Sequence, residues 1–521
     1  MALTRLGKTA AARGKIFSRS WAQSDIRGGS HLTSYPRAPL GRLRPERENN
    51  PMSDTKAPHI ASMQASNAGS STSMQAKKLK FLTMMGICVG LVIVQGSMIS
   101  ATQGIGIGGM GFIAAMIVAF VLAQFNAMSF AELSLMFPEE GTLATYTQKA
   151  IGHFPAIVAV FAGYVVVAML ALPVEMFLVE TILGELFPGL FPPLLLPLLI
   201  LAILAVTNLL GADLFAKVQN LLSFVLVTAL LLIGLCAVTA AIEPHVAITG
   251  TPVSWSFEPV LNGSFIGLVA MAMWLMVGVE FICPMIKEVD NPQRNIPRAM
   301  MLSLCAMLAI FLLFVYGASF YLSVETLTTT PLPYLDYAHA VFGKGGLIIA
   351  AVMALTATCS TINTVLAAVP RMLQGMAENG QAFPQLKITS KRYGTPWVGI
   401  LFVASIIAIP FLLMDIDSLI PLVIAASTSW LLAYVVAHID VIVLRRRMPD
   451  RARPFKTPFY PLPQVIGIVA MLYVAMHNSP SPEMTTTVYK ILGAILVVVS
   501  VIGALWVKLY MKRKLFEPDL G

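Results

Sequence analysis

Charge is scarce in this chain. Asp, Glu, Lys and Arg make up 12% of the 521 residues while 57% are hydrophobic, and the mean hydropathy is +0.78. An ordinary soluble domain carries about twice that share of charge, so most of this chain has hydrocarbon as its solvent. Cysteine is scarce too: Cys88, Cys236, Cys283, Cys305 and Cys359 fall in five different apolar stretches with no metal-ligand spacing, and such residues pack as small apolar groups. No Gly-x-Ser-x-Gly nucleophile stands in a setting that would present it. The chain is therefore read as not an enzyme, with no cofactor and no metal. The run Gly106-Ile-Gly108-Gly-Met-Gly111 has the dinucleotide-binding spacing, but that motif needs a preceding strand and a following soluble helix. Here it joins two apolar stretches. Asn262-Gly-Ser264 is a glycosylation sequon, a triplet short enough to arise by chance.

What is present is a series of apolar runs. Requiring roughly 20 mostly apolar residues for each membrane span marks about twelve, near 82–102, 110–135, 154–183, 193–211, 218–241, 264–284, 299–322, 346–371, 397–414, 417–444, 462–477 and 489–508. The weakest is 462–477, where Pro461 and Pro463 leave room for a tilted or partial span. Basic residues test the count independently, because short cytoplasmic loops retain them. They cluster at Lys77, Lys78 and Lys80, at Lys149, Lys217, Lys287, Arg294 and Arg298, at Lys387, Lys391 and Arg392, at Arg445 to Arg453, and at Lys512 to Lys514. Most lie on alternate sides of the spans, with Lys344 and Lys490 the exceptions. This pattern implies a multi-pass protein of the plasma (cytoplasmic) membrane, both termini in the cytoplasm, with the 242–263 and 323–345 loops outside.

Residues 1–75 differ in kind, being rich in Ser, Gly, Pro and Arg without apolar periodicity, and are expected to form a disordered tail ahead of a transporter domain at 76–515. Through residue 51 there are ten Lys or Arg against three acids, which supplies most of the net charge of +9. The basic pI thus says nothing about nucleic acid, and no such partner is expected. A basic, acid-poor start also resembles an organelle transit peptide, and Met52 is a second candidate start.

The most informative stretch is Ala270–Ala299, AMAMWLMVGVEFICPMIKEVDNPQRNIPRA, which puts Gly278 between two β-branched residues and Glu280 just beyond inside an apolar span. A carboxylate and a helix-weakening Gly are costly in lipid unless they face a protected cavity. Glu175 and Glu180 raise the same question in the third span. Glu175 can contact a substrate amine, or both acids can sit near the outer end of a long helix and reach water.

Three segments carry a family resemblance. Phe130-Ala-Glu-Leu-Ser-Leu-Met-Phe-Pro-Glu-Glu-Gly-Thr-Leu-Ala-Thr-Tyr146, with Gly152 after it, resembles the end of the second helix and adjoining loop of the amino acid, polyamine and organocation (APC) superfamily permeases. Lys287-Glu-Val-Asp-Asn291-Pro-Gln-Arg294-Asn-Ile-Pro297-Arg298-Ala resembles their loop after helix six, and Arg371-Met-Leu-Gln-Gly-Met-Ala377-Glu-Asn-Gly380-Gln-Ala-Phe-Pro384, with Thr395-Pro396, that after helix eight. The resemblance covers about residues 80 to 510.

It implies an all-α integral membrane protein of about twelve transmembrane helices: two inverted five-helix repeats, 82–241 and 264–444, and two further helices at 462–508. In such folds the first helix of each repeat is interrupted at midplane and its freed backbone groups form the substrate site. The first interruption is expected at Gln95-Gly96-Ser97, where Gly96-Ser97-Met98 is similar to a family Gly-Ser-Gly triplet whose N–H groups hold a substrate carboxylate, except that Met98 replaces the last Gly; the alternative is a small-residue packing face. The second matches at Trp274-Leu-Met-Val277-Gly278-Val-Glu280, with Gly278 at the break. Trp274 would cover the substrate as a gate, or anchor at an interface, and Glu280 would pair with a gate or take up a proton. The candidate substrate residues are thus Gln95, Gly96, Ser97, Met98, Glu175, Trp274, Val277, Gly278 and Glu280.

Some proton-coupled relatives carry a Lys in the fifth helix in place of sodium, and beyond Lys217 the run Val218–Ala241 has none. Thr356, Thr358, Ser360 and Thr361 can offer oxygens to Na⁺ or bond to carbonyls one turn back. His438 and Asp440 are read as solvated near the basic inner end of the tenth span. The expectation is a secondary transporter of an amino acid or related amine, a proton-linked symport; exchange (antiport), sodium coupling and a non-transporting solute sensor are the alternatives.

Overall fold

The computed structural model describes residues 78–520 apart from 240–242, 247, 262, 480 and 481. The expected tail at 1–75 and the sequon residue Asn262 lie outside the described residues. Among the described residues every regular element is a helix, and the β-type pairing is one isolated bridge between Leu79 and Val289. Backbone polar groups in lipid must be satisfied within their own segment, which a helix alone can do in an open chain.

In chain order the apolar helices are α1 (Phe81–Val92), α2 (Gln95–Gly108), α3 (Met110–Met136), α4 (His153–Leu186, with a π-helical turn at Phe161–Val165), α5 (Leu195–Leu209), α6 (Ala212–Val238) and α7 (Phe265–Met273). After a non-helical stretch α7 is continued by the 3-10 helix Val279–Glu288. Then come α8 (Pro292–Tyr321), α9 (Lys344–Glu378), α10 (Trp397–Leu413), α11 (Ile416–Arg447), α12 (Leu462–Ala475) and α13 (Pro482–Tyr510). Seven of these are long and apolar enough to cross a membrane, α1 and α2 pass together as one span bent by 63°, and α5, α10 and α12 are shorter apolar helices. Each of the expected apolar runs holds a helix.

The helices outrun the apolar runs at their polar ends. α8 starts at Pro292, inside the basic loop, and α9 and α11 extend to Glu378 and Arg447. Hydropathy marks only the lipid-immersed part of a helix, whereas Pro at the first turn suits helix initiation whatever the solvent.

Two of the segments are interrupted. The first break differs from the expected position: α1 ends at Val92, Ile93 and Val94 are extended, and Gln95, Gly96 and Ser97 form the first turn of α2. The β-branched pair accepts an extended backbone readily. The Ser97 hydroxyl then accepts from the Val94 amide at 2.9 Å and donates to the Val94 carbonyl at 2.8 Å, so it fixes the entry to α2. The second break falls as expected, with the α-helix stopping at Met273 and Gly278 at φ +115°, a conformation that suits glycine.

His438 and Asp440 are corrected by the structure: neither is solvated, and both are fully buried. The His438 ring lies between Ser129 Oγ at 3.0 Å and Asn126 Oδ1 at 2.7 Å, and Asp440 accepts from the Thr147 hydroxyl at 2.6 Å. Their spacing on α11 places them against α3 and the short helix Leu143–Ala150, which position along the chain does not reveal. Of the cysteines, Cys88 and Cys283 are buried and Cys305 is exposed on α8.

Candidate functional site

The two breaks meet. A Cβ added at Gly278 would lie 3.0 Å from Leu91 Cδ2 and 3.4 Å from Val92 Cγ2, so the second break packs on the last turn of α1. Beside them is a cavity of about 920 Å³. Its wall includes Val94 and Gly96 from the first break, Trp274 and Val277 from the second, Glu175 from α4 and Trp430 from α11. No Lys or Arg is among the described residues lining it, and its acids are Glu175 and Glu258.

The nine residues singled out from the sequence divide by position. Gly96, Glu175, Trp274 and Val277 line the cavity. Gln95, Ser97 and Met98 are fully buried behind this wall, and Gly278 and Glu280 lie one layer deeper, reached through Trp430 and Tyr164.

Glu175 settles one of the open alternatives. It is 6% exposed and does not reach bulk water at a helix end. Its carboxylate accepts from the Gln95 amide at 3.0 Å on one oxygen and from the Gly96 amide at 2.9 Å on the other. The Thr358 hydroxyl donates to it at 3.2 Å. Gln95 is fixed in turn, donating to Thr358 at 2.8 Å and to the Glu175 carbonyl at 3.2 Å while accepting from the Tyr334 hydroxyl at 2.6 Å. A carboxylate on the first amides of a helix is favoured by charge-assisted hydrogen bonding and by the macrodipole. Glu180, by contrast, is only partly buried and caps the chain at Leu194 N, 3.1 Å away.

Glu280 is held by neutral donors. Tyr434 lies 2.9 and 3.0 Å from its two oxygens, Trp430 Nε1 donates at 3.0 Å and Tyr164 at 3.3 Å. Tyr434 also accepts from the Gly278 amide at 3.1 Å, tying the carboxylate to the second break.

The hydroxyls considered for sodium have other partners. Thr356 bonds to the Val352 carbonyl, one turn back, at 2.6 Å. Thr361 donates towards the Gly90 and Leu91 carbonyls at 3.3 and 3.2 Å, and Ser360 accepts from Gln219 Nε2 at 2.6 Å. On α6, therefore, an amide at Gln219 faces the last turns of α1, donating also to the Gly86 carbonyl at 3.3 Å.

At the far end of the broken segments the three motifs of the resemblance converge. Lys287 pairs with Glu140 at 2.5 Å, and Arg371 donates to Glu288 at 2.9 and 2.8 Å. A Cβ on Gly375 would collide with the Gly141 amide, so the loop after α3 and the eighth segment touch through glycine. The Leu79 amide donates to Glu288 O at 2.8 Å, and Asp290 N to Leu79 O at 3.1 Å. The cavity is thus sealed on this side and extends the other way, to Glu258, Ser264 and Asn478.

A profile described as amino acid permease matches residues 79–502. The chain belongs to the amino acid permease family. Among its relatives, the branched-chain amino acid permease BcaP of Bacillus subtilis (strain 168) is 24% identical over 432 residues, 76% of this chain and 86% of the relative. The human cystine/glutamate transporter is 24% identical over 422 residues, 78% of this chain and 82% of its own. The gamma-aminobutyric acid permease of Escherichia coli (strain K12) is 24% identical over 469 residues, 84% and 96% respectively. Family and relatives are transporters rather than enzymes, and the apolar helices make this permease a multi-pass membrane protein.

Sequence reasoning missed Tyr164, Tyr334, Trp430 and Tyr434, and it weighed Thr358 only as a sodium ligand or a hydroxyl bonded one turn back, not as the partner of Glu175 and Gln95. A signal existed for two of them: Trp430 and Tyr434 stand four residues apart on α11, hence on one face, and a buried indole N–H or phenol needs a partner. Tyr334 comes from a short helix between spans, Pro333–Phe342, and had none.

Proposed function

We propose that this permease is a secondary active transporter that moves an amino acid or related amine by alternating access, linked to proton uptake across the plasma membrane, with both termini in the cytoplasm. The observation that carries this reading is the cavity beside both helix breaks, open towards one end of the bundle and closed at the other by the Lys287–Glu140 and Arg371–Glu288 pairs. A site reached from one side and sealed on the other by breakable ion pairs is what one half of an alternating cycle requires. We read residues 82–241 and 264–444 as the two inverted repeats. In support, the interrupted segments are the first of each.

The proton is assigned to Glu280. Its partners are phenols and an indole, so adding a proton breaks no ion pair. Trp274, on the wall next to the second break, serves as the gate over the solute.

The test is uptake of labelled amino acids and amines into proteoliposomes under imposed proton or sodium gradients. Accumulation driven by an inward proton gradient, and its loss in Trp274→Ala with normal membrane insertion, is the expected result. Uptake that follows sodium, or that needs only a counter-solute inside, would replace proton coupling with symport of another ion or exchange. Wild-type rates in Trp274→Ala would remove the gate.

A further inference from the structure

We infer that the Glu175 carboxylate permanently occupies the seat a substrate carboxylate would take, so that this permease selects an amine cation lacking a carboxylate over the corresponding zwitterionic α-amino acid. The inference rests on the reading that the cavity is the transport site and deepens it by naming the substrate class.

A helix N-terminus exposed by a break is a ready place for an anion, because its first amides have no partner within the helix. In this chain those amides are taken. Gln95 N and Gly96 N each donate to a different oxygen of Glu175, in the two-point fashion in which a free carboxylate would be gripped. Four further features hold the acid in place. Thr358 donates to it, Gln95 bonds to its carbonyl, Tyr334 locks Gln95, and Pro173 lies two residues before it on α4. Gly96 is the residue that permits this: an added Cβ would stand only 3.2 Å from Glu175 Oε1.

The consequence is electrostatic. A solute carboxylate entering the cavity would find its donors spent and a like charge beside it, in surroundings of low dielectric where such repulsion is large. An ammonium group meets the opposite situation. Glu175 lines the cavity, and no Lys or Arg among the described lining residues competes for it. Specificity then arises from a repulsive element as much as an attractive one. Part of the wall fits an apolar or aromatic body: Leu91, Val92, Leu172, Trp274, Phe281 and Trp430.

The experiment measures equilibrium binding to the purified full chain, separately from transport, for three matched pairs: leucine and 3-methylbutylamine, phenylalanine and 2-phenylethylamine, arginine and agmatine. The expected result is that in at least one pair the amine binds at least about tenfold more tightly than its amino acid, a difference of about 1.4 kcal/mol. Glu175→Ala is expected to reverse that order, losing amine binding and gaining amino acid binding at the freed amides. Glu175→Gln keeps the size and an acceptor oxygen should Ala not fold, and is expected to weaken the amine about tenfold or more while changing the amino acid little. Equal or tighter binding of the amino acid in every pair overturns the inference, and so does an amine preference that survives in Glu175→Gln, or no binding of either class. If the amine binds preferentially but no gradient drives it into proteoliposomes, the transport reading fails while this inference stands.

Discussion

The two helix breaks solve one physical problem in opposite ways. At Ile93–Val94 the freed amides of Gln95 and Gly96 are met by a carboxylate, Glu175. At Gly278 the freed amide is met by a phenol, Tyr434, and the side chains that hold the nearby carboxylate Glu280 are phenols and an indole. The first break is locked by a network that runs through Thr358 and Tyr334 into α9 and the outer connection. The second break rests on Gly278, between α7 and the 3-10 helix, whose amide donates to Tyr434 on α11, with a longer contact from Cys88 Sγ to the Val279 carbonyl at 3.5 Å. On the proposed transport reading, the first break is the fixed half of the site and the second, with fewer ties, the half that moves during a cycle.

The comparison breaks most severely at Gly278. Gly278→Leu forces a side chain into φ +115° with its Cβ at 3.0 Å from Leu91. Strain of this kind costs about 1–3 kcal/mol, so uptake is expected to fall by up to about a hundredfold while insertion is retained; uptake near the wild-type rate would show that the second break is not needed.

Tyr434→Phe probes the single tie between Glu280 and the second break. It leaves the Gly278 amide without its acceptor and Glu280 without its shortest donor. An unsatisfied buried group costs about 1–3 kcal/mol, and uptake is expected to drop about tenfold. Loss of stability without loss of uptake in the folded fraction would make Tyr434 a packing residue only.

The smallest effect lies outside the membrane, on the connection that leads to Tyr334. The Glu325 carboxyl, in the short helix Val324–Thr329, is held down at about 2, chiefly by the Thr251 hydroxyl, which donates at 2.7 Å, with the Thr251 amide at 2.9 Å. A depressed carboxyl contributes stability above its ordinary value near 4.5, and that contribution disappears as pH falls towards 2. Thr251→Val is therefore expected to lower the melting midpoint slightly at pH 6, by an amount that shrinks as the pH is lowered through 4.5. A difference that stayed constant with pH would detach Glu325 from the effect.

How much of this was legible in the sequence follows from the range of each interaction. The helices and the break at Gly278 were, because lipid demands long apolar runs and Gly278 with Glu280 violates one locally. The first break was misplaced by two residues, because Gly96 and Ser97 look like helix breakers until Ser97 is seen to serve as a cap on Val94. Glu175 could be flagged but not placed: its partners are 79 and 80 residues away along the chain, and nothing local distinguishes an acid on a helix N-terminus from one near water. His438 and Asp440 were misread for the same reason, since their partners Ser129, Asn126 and Thr147 are about 300 residues distant.

The claim on which the rest depends is that both breaks face one solute-filled space. Val94 and Val277 line the cavity from opposite breaks, so each can be replaced by Cys in a background where the exposed Cys305 is Ser, and thiol labelling by a small membrane-impermeant reagent can be timed with and without a transported solute. The account predicts that saturating solute slows labelling at both positions together. Slowing at neither position, or at one alone, would contradict it.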